Sequence, residues 1–170
     1  QSYCVSQISK FVCGCFLDSF DKIKDTVWVD AQSGSVPSDA VIGGQEFDRH
    51  VYVARIKVND GNIIPGKLVD NSKFAETEYL GVLTSSTYQI LTYPDLKLKY
   101  EWIQPHHFNI SLCAIQAGKE KQNDLYIGRT IQSADMIFVG KYDVLNGQLH
   151  YVHTGEVKST KENVEVLCAI

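Results

Sequence analysis

The chain has 170 residues, 44% of them hydrophobic and 21% charged, with a formal net charge of -4. That balance describes a folding globule and excludes a disordered polyelectrolyte, and its interspersed charges leave no basic footprint for nucleic acid or an anionic membrane. No apolar run approaches the roughly 20 residues of a bilayer-spanning helix; the longest candidate, 11–17, is interrupted by Gly14.

In residues 1–27, Val5, Ile8, Val12, Cys15, Phe16, Phe20 and Ile23 recur at helical spacing, with Asp18, Asp21, Lys22 and Lys24 on the other side. The pattern predicts one amphipathic helix, packed on the body of the protein or used for oligomerisation or membrane contact. A start at Gln1 in place of Met, and the sequon Asn109-Ile110-Ser111 with its candidate glycosylation site at Asn109, fit a secreted protein with a cytoplasmic location as the alternative. Cys4, Cys13, Cys15, Cys113 and Cys168 are odd in number and irregular in spacing. Two arrangements stay open: one or two disulfides plus a thiol free for an intermolecular bridge, or buried reduced cysteines.

Beyond the helix the chain reads as strands. Short runs rich in β-branched and aromatic residues occur at 26–30, 51–58, 78–83, 88–93, 125–131, 136–141 and 163–168, and Asp60-Gly61 after the second of them signals a hairpin. Several runs are apolar on both alternating faces, which suits sheets covered on both sides, as in a sandwich or barrel.

These strands repeat. Trp28, Ala40, Gly44, Glu46, Tyr52, Arg55, Gly66, Lys67 and Gly81 fall on Trp102, Ala114, Gly118, Glu120, Tyr126, Arg129, Gly140, Lys141 and Gly155 at one ungapped displacement of 74 residues. After Gly81 the register slips by two, so that Ile90-Leu91 meets Val166-Leu167. The organisation is therefore an extension (1–27), a first repeat (28–94), a β-rich link (95–101) and a second repeat (102–170). One repeat of this length buries too little surface to stand comfortably alone.

The string Val36-Pro37, Ala40-Val41, Gly43-Gly44, Val51-Tyr52-Val53-Ala54-Arg55 and Ile64-Pro65-Gly66-Lys67 resembles the DM9 repeat family. Its skeleton returns as Ala114-Ile115, Ala117-Gly118, Leu125-Tyr126-Ile127-Gly128-Arg129 and Val139-Gly140-Lys141. The resemblance implies a tandem, mostly β fold. Through the family's mannose-binding lectin members it also implies sugar-binding pairs at Glu46 with Lys67 and Glu120 with Lys141. Here Glu stands where those members have Asp, and Val139 replaces the proline of the Pro-Gly-Lys step.

The residue chemistry agrees with that expectation. Each repeat separates carboxylate from ammonium by the same interval, and such a pair accepts from and donates to vicinal sugar hydroxyls through charge-assisted bonds worth about 1.5–3 kcal/mol each. The plainer alternative for each pair is a surface ion bridge worth about 0–1 kcal/mol. Gly43-Gly44 and Ala117-Gly118 read either as cleared space for a ligand or as tight turns. Tyr52 and Tyr126 read as core, and Arg55 and Arg129, on the opposite strand face, as structural braces through ion pairs.

His106-His107 and His150 with His153 lack a metal-ligand spacing and read as solvated. No hydrolase elbow, phosphate loop or metalloprotease motif occurs. The expectation is a metal-independent, cofactor-free, non-enzymatic lectin for mannose-containing glycans, with homo-oligomerisation and a role in innate defence as further expectations. Its rival is a structural protein assembled through the helix and an intermolecular disulfide.

Overall fold

The computed structural model describes residues 26–94, 99–105 and 110–170. The expected N-terminal helix with Cys4, Cys13 and Cys15, most of the 95–101 link, His106, His107 and the sequon residue Asn109 lie outside them.

Each repeat forms seven strands. In the first these are β1 (Val27–Gln32), β2 (Ile42–Glu46), β3 (Arg49–Lys57), β4 (Ile63–Val69), β5 (Ala75–Glu78), β6 (Val82–Ser85) and β7 (Thr87–Thr92). In the second they are β8 (Tyr100–Ile103), β9 (Gln116–Glu120), β10 (Asn123–Ser133), β11 (Met136–Asp143), β12 (Gln148–His153), β13 (Glu156–Thr160) and β14 (Val164–Ala169), with a 3-10 turn at Ile110–Leu112. The fold is mostly β. The run 78–83 is not a strand: Leu80 (φ 54) and Gly81 (φ 111) turn the chain between β5 and β6. Its β-favouring residues are overridden by the left-handed backbone a tight hairpin requires.

The repeats exchange edges. Strand β2 pairs with β3 of its own repeat and with β11 of the other, while β9 pairs with β10 and with β4. The β10–β11 and β3–β4 pairings complete a closed circuit of six antiparallel strands, β3-β2-β11-β10-β9-β4. Closure removes the exposed sheet edges that either repeat would carry alone. Equivalent residues meet across the junction, Ile137 with Gln45 and Ile63 with Lys119, so the halves are related by a pseudo-twofold axis. The register slip also holds, because Arg55 faces Gln89 whereas Arg129 faces Glu165.

Three apolar clusters follow from this topology. The central one draws Val41, Val51, Val53, Val69 and Leu91 from the first repeat and Ile115, Ile127, Val139, Leu167 and Ala169 from the second. The other two lie one in each repeat, with Tyr52 packed against the first and Tyr126 against the second. Both faces of β3 and β10 are thus covered, which explains their two-sided apolar pattern.

The small-residue steps serve this junction. A Cβ on Gly44 would lie 2.3 Å from the Ile137 carbonyl oxygen, and one on Gly118 would lie 2.0 Å from that of Ile63. Both glycines are within strands, so they mark neither turns nor cleared ligand space. They permit the close approach of a strand from the other repeat.

The conserved-in-both-copies arginines brace the same junction. The Arg55 guanidinium lies 4.2 Å from the Trp28 ring and donates to the Ala117 carbonyl, while Arg129 lies 4.3 Å from Trp102 and donates to the Gly43 carbonyl. Burial pulls Arg55 down to about 10, with Asp30 acting the other way, so it stays charged at neutral pH. Only Arg129 also makes an ion pair, with Glu165 at 3.2 Å; Arg55 donates instead to the neutral Gln89.

Cys113 and Cys168 form a disulfide between the loop before β9 and β14. The equivalent positions of the first repeat are Asp39 and Thr92, so this link belongs to the second repeat alone.

Candidate carbohydrate site

Each predicted pair is assembled by the turn that opens the barrel strands of its repeat. Glu46 ends β2 opposite Arg49, and the two residues between them begin with Phe47 at φ 57. Glu120 ends β9 opposite Asn123, with Lys121 at φ 56 in the equivalent place. The lysines come from the next barrel strand, Lys67 in register with Val53 and Lys141 in register with Ile127. Because both of those partners belong to the central cluster, both lysines point inward.

In the first site Lys67 Nζ donates to Glu46 Oε2 at 2.5 Å, with Glu76 at 4.0 Å. Lys67 and Glu46 are 2% and 5% exposed. In the second, Lys141, 4% exposed, lies 3.6 Å from Glu120 and only 2.5 Å from Glu78 Oε2. Neither pair is a loose surface bridge, since a charge this buried persists only where partners replace its hydration.

Each site also takes a residue from the other repeat. His153 of β12 places Nδ1 3.3 Å from Glu46 Oε1, and Glu78 of β5 reaches Lys141. His153 packs on the Phe138 ring at 4.6 Å. The expectation that His150 and His153 are merely solvated is corrected: both are part-buried, His153 meets Glu46, and His150 lines the second site with Nδ1 2.7 Å from Ser159 Oγ. Glu78 and His153 went unseen because neither recurs at its repeat-equivalent position, where Val152 and Tyr79 stand.

A cavity of about 240 Å³ opens over the first pair, bordered by Phe47, Arg49, Glu76 and His153, and one of about 150 Å³ over the second, bordered by Glu78, Asn123, Asp143 and His150. Three successive antiparallel pairings, β3 to β2 to β11 to β10, make β3 and β10 run oppositely. The two turns therefore lie at opposite ends of these strands, but β5 and β12 each line both sites, with Glu76 and His153 in the first and Glu78 and His150 in the second, so the sites are neighbours. A larger open depression of about 490 Å³, lined by Asp30, Lys57, Tyr88 and Gln89 among others, lies away from both pairs.

Among the described residues no group of three or more His, Cys, Asp or Glu side chains could hold a metal, and no helix is long and apolar enough to cross a membrane.

The intertwined barrel and its duplicated buried lysines, each beside a carboxylate, define a tandem-repeat protein whose two copies fold as one unit. The DM9 repeat model matches residues 17–82 and 47–143, and the chain belongs to that family. The crystal structure of the nematode sperm cell motility protein MFP2B is similar in fold, with a TM-score of 0.65 at 19% identity. The likeness covers 85% of this chain and 44% of that one, so this chain spans less than half the length of its structural neighbour. No curated protein matches the sequence significantly.

Proposed function

We propose that the protein is a non-enzymatic, metal-independent lectin that binds mannose-type glycans at two sites, the Glu46–Lys67 pair and the Glu120–Lys141 pair. The observation that carries this reading is the duplication of a buried lysine with a carboxylate partner on the floor of a small polar cavity. A lysine ammonium has three N–H donors and a carboxylate about four lone-pair positions. A pair engaged at one contact keeps donors and acceptors for neighbouring hydroxyls of a sugar ring. Each single-ring site is weak, and two sites on one chain gain avidity for a glycan-coated surface without any new contact. Membership of a family that includes mannose-binding lectins supports the reading, and the Cys113–Cys168 disulfide suits a secreted protein recognising microbial or self glycans.

The test is retention of the full chain on a panel of immobilised glycans, with free mannose as competitor and a chelator present. Mannose-reversible, chelator-insensitive retention that disappears in K67M/K141M, checked for native circular dichroism, is the expected result. Retention unchanged in that variant, or no retention of any glycan, refutes the assignment.

A second reading rests on the contacts that cross the repeats. Glu46 to His153 and Glu78 to Lys141 tie the halves together, so the charge network is also what a purely structural protein needs. The lysine variants lose stability under either reading, and under this one wild-type protein retains no glycan.

A further inference from the structure

The two sites share their central pair but differ in what surrounds it. The first cavity is bordered by two carboxylates, Glu46 and Glu76, and two cations, Lys67 and Arg49, a balanced set beside His153. The second is bordered by three carboxylates, Glu78, Glu120 and Asp143, against the single cation Lys141, beside His150. Asn123 stands where the first site has Arg49, and Asp143 where it has Val69.

Accessibility sharpens the contrast. At the first site the carboxylate closest to lysine is sealed, with 6% of the Glu46 side chain exposed, and the more distant Glu76 is open at 32%. At the second both lysine partners remain open, Glu78 at 22% and Glu120 at 31%. Lys141 neutralises one of the three carboxylates. The charge on the other two is unmatched among the lining groups, although Asp143 is partly engaged by the backbone amides of Leu145 and Asn146 and by the Asn146 side chain. Nearby, the Tyr79 hydroxyl donates to Asp60 and is held protonated above its usual range, first by that bond, with the Glu120 charge adding to it.

The rims differ as well. Phe47, held at a left-handed φ and 59% exposed, presents an aromatic face beside the first cavity. Its counterpart Lys121 is not among the residues lining the second. An aromatic face stacks on the apolar C–H face of a neutral sugar ring, whereas an open carboxylate pair in a confined cavity attracts a ligand cation.

We propose that the sites have diverged in ligand class: the first takes a neutral sugar ring against Phe47, and the second prefers a sugar bearing a free amine, whose ammonium is met by Glu78 and Glu120. The proposal rests on the carbohydrate reading of both pairs. It also makes the two sites chemically distinct, so that one chain carries two glycan specificities.

His153 and His150 serve as separate reporters of the two sites. Their imidazole C–H signals are followed by NMR in the full chain during titrations with methyl mannoside and, separately, with mannosamine. The His150 signal is expected to respond to mannosamine at about tenfold lower concentration than to methyl mannoside, the worth of one added charge-assisted bond. That preference should shrink at high salt. It should also fall towards unity in E78Q, which removes one excess charge and leaves Glu120 to pair with Lys141. The His153 signal should show no amine preference.

An equal response of His150 to both sugars, or an amine preference at His153 instead, overturns the divergence. If methyl mannoside still moves both signals in that case, the carbohydrate reading survives. If neither sugar moves either signal, both proposals fall together.

Discussion

At the residue scale, the paired charges were legible because they recur. Nothing in a single glutamate or lysine separates a buried pair from a solvated one, but Glu46 with Lys67 and Glu120 with Lys141 keep identity and interval in both copies while most of their surroundings have changed. Repetition reveals only what is shared, so His153 and Glu78, which complete the sites from the opposite repeat, left no trace in it. Burial sets the energetic consequence. Replacing Lys67 by Met removes the cation closest to the buried Glu46 carboxylate and leaves His153 as its hydrogen-bond partner, a loss of about 3–5 kcal/mol. Changing both members, E46L/K67M, removes the stranded charge and is expected to recover most of that stability in urea unfolding, while sugar binding at the first site stays abolished. A double variant as unstable as K67M would mean that the pair contributes net stabilisation beyond mutual neutralisation.

At the element scale, the long central strands and the apolar flanking runs at 26–30, 88–93 and 163–168 were visible, whereas β4 and the short polar strands were not. The predicted runs 51–58 and 125–131 lie inside β3 and β10, whose two covered faces supply unbroken apolar pattern. Strand β4 was hidden by Pro65, which breaks a strand pattern because it has no N–H for the ladder. It is tolerated here beside Thr77, whose hydroxyl donates to the Pro65 carbonyl at 2.5 Å. Strands β5 and β13, Ala-Glu-Thr-Glu and Glu-Val-Lys-Ser-Thr, are too polar and too short to stand out. The glycine steps carried a real signal whose meaning only the pairing of β2 with β11 and of β9 with β4 disclosed. Gly118→Ala puts a methyl group against the Ile63 backbone, which cannot yield as a side-chain tip would. The expected cost is about 2–3 kcal/mol, read as a lowered urea midpoint. A loss below about 0.5 kcal/mol, the usual size of an indifferent surface change, would show that the strands separate freely there.

At the scale of the whole molecule, the sequence suggested two repeats packed together, and the topology makes the stronger statement that neither closes alone. Four strands of the barrel circuit, β2, β4, β9 and β11, each pair with a strand of the other repeat. Five buried residues of the central cluster come from the first repeat and six from the second. Residues 26–94 by themselves would present β2 and the Ile63 end of β4 as bare edges and expose Val51, Val53 and Val69 to water, a combination that favours aggregation or unfolding over a folded half. The two halves, residues 26–94 and 95–170, expressed as separate polypeptides, are therefore expected to lack cooperative unfolding individually. Mixed in equal amounts, they should regain it together with dispersed NMR spectra, because the interface that closes the barrel carries no covalent requirement at the link. Recovery would depend on concentration, as folding then becomes an association. A first half that unfolds cooperatively as a monomer would place enough of the core within one repeat to overturn this account, and would leave the exchanged edges as a late docking step in folding.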